Sequence, residues 1–207
     1  MKQRIFYFTL VVLILATGSV HADIGVWTFD ELPTPIYGGS FIPDGYAGFT
    51  WENMGYVDPT EGFYSNSGYN AGMVSPPHVA LNGNGITAAV SGGIFSFGGA
   101  YLTGAWNDGL NIQVDGYFEG DLKYTQIVVV NSTAPTWFDF NYYGIDRLEF
   151  SSWGGTLNPD YGTVPPPSSH FAMDNFTIVP VPIPGAFLLG SIGLALAGWK
   201  LRKSREL

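Results

Sequence analysis

Apolar and polar positions alternate through much of the second half of the chain, with turn residues at regular intervals. Leu110, Ile112, Val114 and Tyr117 fall on one apolar register behind Asn107-Asp108-Gly109, a hairpin signal, and Glu119-Gly120-Asp121 turns the chain again. Leu122 to Val130 alternates at first and becomes continuous at Ile127 to Val130, the pattern of a strand buried on both faces near its end. Trp137 to Phe140 and Ile145 to Phe150 predict two more strands, and the latter alternates cleanly between apolar and charged residues. A loop from Ser151 to Ser169, carrying Pro165-Pro166-Pro167, separates these from a last strand at Phe171 to Ile178.

Upstream, Phe95, Phe97 and Ala100 to Trp106 lead into the Asn107-Asp108-Gly109 turn. Ile24 to Phe29 opens the series and is closed by Pro33 and Pro35, and Asp44-Gly45 turns into an aromatic strand ending at Trp51. Val79 to Leu81 and Ile86 to Val90 flank the turn Asn82-Gly83-Asn84-Gly85, whereas Asn53 to Pro77 shows little periodicity and reads as long surface loops. Strands at spacings of about 10 to 15 residues with no helical period predict an all-β fold: a two-sheet antiparallel β-sandwich or jelly roll. Its first and last strands are expected side by side.

Both ends of the chain depart from this pattern. Lys2 and Arg4 precede the apolar run Ile5 to Ala16, and Val20-His21-Ala22 supplies small residues before Asp23, so residues 1–22 read as a signal peptide cleaved after Ala22. At the other end Val181 to Trp199 is a run of 19 uncharged residues, close to the ~20 that span a bilayer as a helix. Lys200, Arg202, Lys203 and Arg205 follow, which places that end in the cytoplasm and the rest of the chain outside. Pro180, Pro182 and Pro184 alternate with Val179, Val181 and Ile183 and hold the entrance extended. These properties fit a permanent transmembrane anchor as well as a processed signal. The chain thus divides into 1–22, a β domain over 23–178, and a tail over 179–207.

Val181-Pro182-Ile183-Pro184-Gly185-Ala186, with Gly190, Gly193 and Gly198 in the apolar run and Lys200-Leu201-Arg202-Lys203 behind it, resembles the sorting signal of PEP-CTERM proteins. It is closest to their V-P-x-P-x-A variant, and has Pro182-Ile183-Pro184 where the main class has Pro-Glu-Pro. The resemblance implies export across the inner membrane of a bacterium with an outer membrane. It also implies transient anchoring there, recognition by an exosortase-type processing enzyme, and delivery to the cell surface or extracellular matrix. The domain, with Trp27-Thr28-Phe29-Asp30-Glu31-Leu32, Ala105 to Leu110 and Phe171 to Thr177, is similar to the domain that commonly precedes such tails. More loosely it resembles jelly-roll carbohydrate-binding modules and galactose-binding-like domains.

Charge narrows the partners. Between residues 23 and 178 only Lys123 and Arg147 stand against 16 of the chain's 17 acids, a formal charge of -14. Such a surface repels nucleic acid and anionic headgroups and attracts divalent cations. No cysteine is present, so disulfide and thiolate chemistry are absent and stability rests on a core. Asp30, Glu31 and Asp174 are the candidate calcium ligands, brought together if the terminal strands pair. The resemblance points the same way, since carbohydrate-binding jelly rolls commonly hold a structural calcium there. The alternative has Asp174 bonding a neighbouring turn and the other two solvated.

Among Trp51, Trp106, Trp137 and Trp153, Trp106 with Asn107 and Asp108 is the candidate glycan site: an indole stacks on a sugar ring while amide and carboxylate hold hydroxyls. The alternative makes Trp106 core and Asn107 and Asp108 turn residues. Catalysis lacks its parts. The mature chain has only His78 and His170, no G-x-S-x-G elbow and no metal-binding His pair, and Asp108, Asp115, Glu119 and Asp121 lie in or beside turn signals. The expectation is an exported, exosortase-sorted, non-catalytic surface or matrix protein with extracellular polysaccharide as its candidate ligand. A glycan-active hydrolase or lyase and a purely structural adhesive protein are the rivals.

Overall fold

The structure, a computed structural model, describes residues 24–60, 62–162 and 169–179. The expected signal peptide with Ala22, and the sorting segment with Val181, Pro182, Pro184, Ala186, Lys200, Arg202 and Lys203, lie outside the described residues. Among the described residues no helix is long and apolar enough to cross a membrane.

Among the described residues ten strands form one hydrogen-bonded network: β1 (Gly25–Trp27), β2 (Ser40–Phe41), β3 (Thr50–Glu52), β4 (Met54–Val57), β5 (Val79–Asn82), β6 (Ala88–Gly104), β7 (Asn107–Phe118), β8 (Asp121–Val130), β9 (Thr136–Leu157) and β10 (Phe171–Ile178). All their pairings are antiparallel. The network makes two layers because β6 and β9 are long enough to serve both. β6 pairs with β3 and the second half of β9 through residues 88–91, and with β10 and the first half of β9 through residues 97–104. Between these halves the register slips repeatedly, and Asn141 and Gly144 of β9 sit at φ 54° and 66°. Such bulges bend both strands over one corner of a sandwich.

The first layer is therefore β2-β4-β5-β10 with the second half of β6 and the first half of β9, and the second is β3, the first half of β6, the second half of β9, β7 and β8. Rings meet across the interior. Trp51 of β3 lies 5.5 Å from Phe176 of β10, and Phe150 of β9 lies 6.0 Å from Phe171. Phe97 is stacked on one side by Phe140 at 5.1 Å and on the other by Phe176 at 4.9 Å. Along β7, Leu110, Ile112 and Val114 are fully buried in this core while Asn111 and Gln113 face outward, the alternation read from the sequence. Tyr117, expected on the apolar register, lies instead on the outward side opposite Arg147. Each large apolar side chain buried this way contributes about 2 kcal/mol.

The segment 58–78, which the sequence leaves without periodicity, covers the part of the first layer's outer face over β4, β5 and β10 and leaves the β9 side open. Its single helical turn α1 (Gly68–Ala71) is capped by Ser67, whose hydroxyl accepts from Tyr69 N, and Tyr69 packs with Val57, Val79, Trp106 and Ala172 in a second apolar cluster. Gly68 is obligatory here: its N–H donates to Ala105 O, and any side chain would overlap the Gly104 carbonyl.

As expected, β1 lies beside β10 through three residue pairs, β10 spans Phe171–Ile178, and Glu119 and Gly120, both at positive φ, turn β7 into β8. Three other expectations are corrected. Asn107-Asp108-Gly109 makes no hairpin, because β6 and β7 pair with different neighbours and Ala105-Trp106 carries the chain from one layer to the other. Gly109, at φ 68°, instead lies within β7, whose register with β9 runs unbroken across it. β9 runs through Trp153 to Leu157, well into the expected 151–169 loop, and β2 and β4 lie in segments read as loop.

His170 stands just before β10 with Nδ1 3.1 Å from Asn82 O, and burial lowers its pKa below the ordinary imidazole value. The unfolded chain therefore takes up this proton near pH 6.5 and the folded chain only at lower pH. Its contribution to stability is complete above that value and is lost as pH falls through the folded pKa. Melting temperatures should fall between about pH 7 and 5, and fall less in His170→Gln; parallel pH profiles would rule this out.

Candidate functional site

The carboxylates expected at the β1–β10 junction are engaged with protein donors. Asp174 is 0% exposed. Its Oδ2 accepts from Val74 N at 2.7 Å and Ser75 N at 2.8 Å, and its Oδ1 accepts from Asn175 N at 2.7 Å and the Ser75 hydroxyl at 3.0 Å. Burial pushes its carboxyl above the ordinary range, against the downward pull of those four bonds. Asp30 Oδ1 accepts from His78 N, and Glu31 Oε1 accepts from the Tyr46 hydroxyl at 2.8 Å. Among the described residues no group of three or more His, Cys, Asp or Glu is placed to hold a metal ion. Asp174, ringed by N–H and O–H donors, is built as a clamp for the 74–75 loop. Chelator or added calcium should leave the melting temperature unchanged, and a shift of several degrees with calcium would contradict that.

Trp106 is 3% exposed, its ring packed against Phe63 at 5.2 Å and Tyr69 at 5.5 Å. Asn107 Nδ2 donates to Gly154 O at 2.9 Å. Asp108 Oδ1 accepts from both the backbone N–H and the hydroxyl of Ser132. This triplet fastens the crossover between layers and offers no free indole face. Trp51 is buried in the main core. The exposed pair among the four tryptophans is Trp153, at 43%, and Trp137, at 36%.

Trp153 sits on the outer face of the second layer, where β7 and β9 lie side by side. Their register sets four cross-strand pairs on one face: Asn111 with Trp153, Gln113 with Ser151, Asp115 with Glu149, and Tyr117 with Arg147. With side chains on one face recurring every second residue, Trp153 and Tyr117 bracket about 20 Å of sheet. The inward partners Leu110, Ile112, Val114, Leu148 and Phe150 are core, which fixes the outward direction of all eight. β8 widens the face with Thr125, Ile127 and Val129 opposite Asp115, Gln113 and Asn111.

The floor between the aromatic ends is polar and braced. Arg147 makes two bonds to Glu52, at 2.6 and 3.0 Å, and a third from Nε to Glu149 at 2.8 Å. Hydrogen bonding to Arg147 holds the Glu52 carboxyl below the usual carboxylate range. Burial, then Glu149 and Asp115, push the Tyr117 phenol up, so it stays a hydroxyl at neutral pH. Asp115 is 9% exposed. Its Oδ2 accepts from Gln113 Nε2 at 2.7 Å, and its Oδ1 lies buried without a partner. Fixed carboxylates, amides and a guanidinium between two aromatic rings can stack sugar faces and hold sugar hydroxyls at once. A shallow depression of about 220 Å³ on the other layer, between Phe41, Gly55, Tyr64 and Leu81, carries no charged side chain.

Of this face, the sequence singles out Trp153 among four candidate tryptophans, sets Tyr117 on the apolar register and Asp115 beside a turn; Asp115 lies instead within β7, and Tyr117 faces outward with it. The signal was present in the polar half of the alternation. Asn111, Gln113, Asp115 and Tyr117 interleave with Leu110, Ile112 and Val114, and Arg147, Glu149, Ser151 and Trp153 interleave with Leu148 and Phe150.

No family model and no curated protein matches the chain. Among solved structures it is similar to a DUF4465 family protein from Bacteroides ovatus (TM-score 0.43, 11% identity, 76% of this chain and 94% of that one). It is also similar to the N-terminal CBM22-1–CBM22-2 tandem domain of Xyn10C from Paenibacillus barcinonensis (0.39, 14%, 78% of this chain and 46% of that one). A third is CBM51 of GH95 from Clostridium perfringens, in complex with methyl-galactose (0.35, 9%, 75% and 100%). These are low scores, and the Trp153 face stands on its own geometry.

Proposed function

We propose that this protein is a non-catalytic glycan-binding β-sandwich that works outside the cell, with the β7–β9 face between Trp153 and Tyr117 as its binding surface. The observation that carries this reading is the ladder of outward pairs, an exposed indole at one end, a phenol at the other and fixed hydrogen-bonding groups between. The face is open along its length, which suits a chain laid across it more than a small molecule enclosed by it. Its carboxylates outnumber Arg147, and the whole domain is acidic, which favours neutral polysaccharide over polyuronate.

Asp115 and Glu149 are a directly opposed carboxylate pair, the motif a glycosidase would need. Arg147 binds Glu149, and Gln113 binds Asp115, so each is engaged as a positioned hydrogen-bonding group. A panel of galactomannan, xyloglucan, mixed-linkage glucan, xylan and polygalacturonate, followed by titration calorimetry and reducing-end assays, tests the reading. Binding of a neutral chain without release of reducing ends supports it; release of reducing ends that disappears in Glu149→Gln would replace it with an enzyme.

The destination belongs to the same proposal. The signal peptide over 1–22 and the Val181 to Lys203 sorting motif would carry the domain across the inner membrane, where an exosortase-type enzyme separates it from its transmembrane helix for release to the surface or matrix. Mass spectrometry of the exported protein should find the chain ending near the Pro182-Ile183-Pro184 segment. An intact Leu207 terminus on all of it would make the tail a plain anchor.

A further inference from the structure

We infer that Trp137 marks a second glycan site on the opposite outer face, so that one domain holds two polysaccharide segments and cross-links them. This inference rests on the glycan reading of the Trp153 face but on a different set of residues. Trp137 belongs to the first half of β9, in the first layer, with Phe140 and Tyr142 of the same half turned into the core. Trp153 belongs to the second half, beyond the corner. The strand that bends over the sandwich therefore presents one indole to each side.

Three contacts hold the Trp137 ring in place. It lies against the backbone at Gly99, where even a Cβ would come within 2.6 Å of its Cζ2. Tyr101, its cross-strand partner, meets it edge-on at 5.2 Å. Its Nε1 donates to Asp139 Oδ1 at 2.8 Å. A ring seated on glycine, steered by a carboxylate and still 36% exposed is an oriented platform with its outward face open. Asn141 and Tyr143 continue the exposed side of the same strand, which among the described residues is the edge of its layer, and supply amide and hydroxyl groups along the line a chain would follow. None of these residues pairs with the Arg147 network, so the two sites are independent in structure.

Two weak sites on opposite faces give multivalent attachment to a polymer, with avidity about 100-fold or more above either site alone. The test uses the purified protein with whichever neutral polysaccharide of the panel binds. The wild type is expected to bind two segments per protein by calorimetry and to raise the viscosity of the polymer solution while remaining monomeric by light scattering. In Trp137→Ala the stoichiometry should halve, the remaining site should keep its affinity, and cross-linking should vanish. In Trp153→Ala cross-linking should vanish too, with the Trp137 site left. Asp139→Asn, which keeps the side chain's size, should weaken only the Trp137 site. If Trp137→Ala still cross-links and keeps the wild-type stoichiometry, the second site is wrong while the Trp153 face stands. If no neutral polysaccharide binds the wild type, both fall.

Discussion

Asp174→Ala lowers the melting temperature by about 10 °C. The substitution strands Val74 N, Ser75 N and Asn175 N together with the Ser75 hydroxyl, four donors converging on one fully buried carboxylate. Orphaning buried donors to a charged acceptor costs roughly 3–5 kcal/mol, and a domain of this size shifts by about 2–4 °C per kcal/mol. Asp174→Asn falls nearly as far, since the amide nitrogen turns a donor toward groups that are themselves donors. Differential scanning calorimetry of both variants measures it. A drop of less than about 3 °C would mean that the 74–75 loop is not held by this clamp. The position is decisive because β10 lies at the centre of the first layer, between β5 and β6, and the clamp ties it to the segment that covers that part of the outer face.

Trp153→Ala weakens neutral-glycan binding at its own face about 30-fold, the effect of deleting an aromatic anchor worth about 2 kcal/mol, with the melting temperature within a degree or two of wild type. The matching control reverses this. Trp106→Ala empties a buried position between Phe63 and Tyr69 and costs about 3–5 kcal/mol of stability, while the Trp153 face keeps its affinity at temperatures where the variant is folded. Affinity lost in Trp106→Ala and kept in Trp153→Ala would return the site to the Trp106-Asn107-Asp108 triplet.

That contrast shows what was legible in the residues. The tryptophans are visible in sequence, but their exposure depends on parity within a strand. Trp153 keeps step with Arg147, Glu149 and Ser151 against Leu148 and Phe150, so it points outward once β9 is known to continue through it. Its strand was hidden by Ser151-Ser152 and Gly154-Gly155, which carry no apolar alternation: the inward Ser152 bonds Asn82 and the Ser169 carbonyl, and pairing with β7 does the rest. Trp106 follows the end of β6, where parity no longer applies and the crossover buries it. The bounds of β8 and β10 were readable because apolar runs ended at turn residues, but β8 is not buried on both faces near its end as expected: Val128 and Val130 turn into the core while Ile127 and Val129 stand exposed on the outer face. β4 was not readable, because all four of its residues are buried and one is glycine. Asp174 was read as a calcium ligand or as the partner of a neighbouring turn, and the four N–H and O–H donors that it meets come in part from a loop 100 residues away, which sequence spacing does not reveal.

Amide NMR of the protein titrated with a neutral oligosaccharide from the binding polymer tests the β7–β9 face most directly. Shift changes should run through Asn111 to Tyr117 and Arg147 to Trp153 and spare Trp106 to Asp108. Saturable changes that leave both of those runs untouched would contradict it.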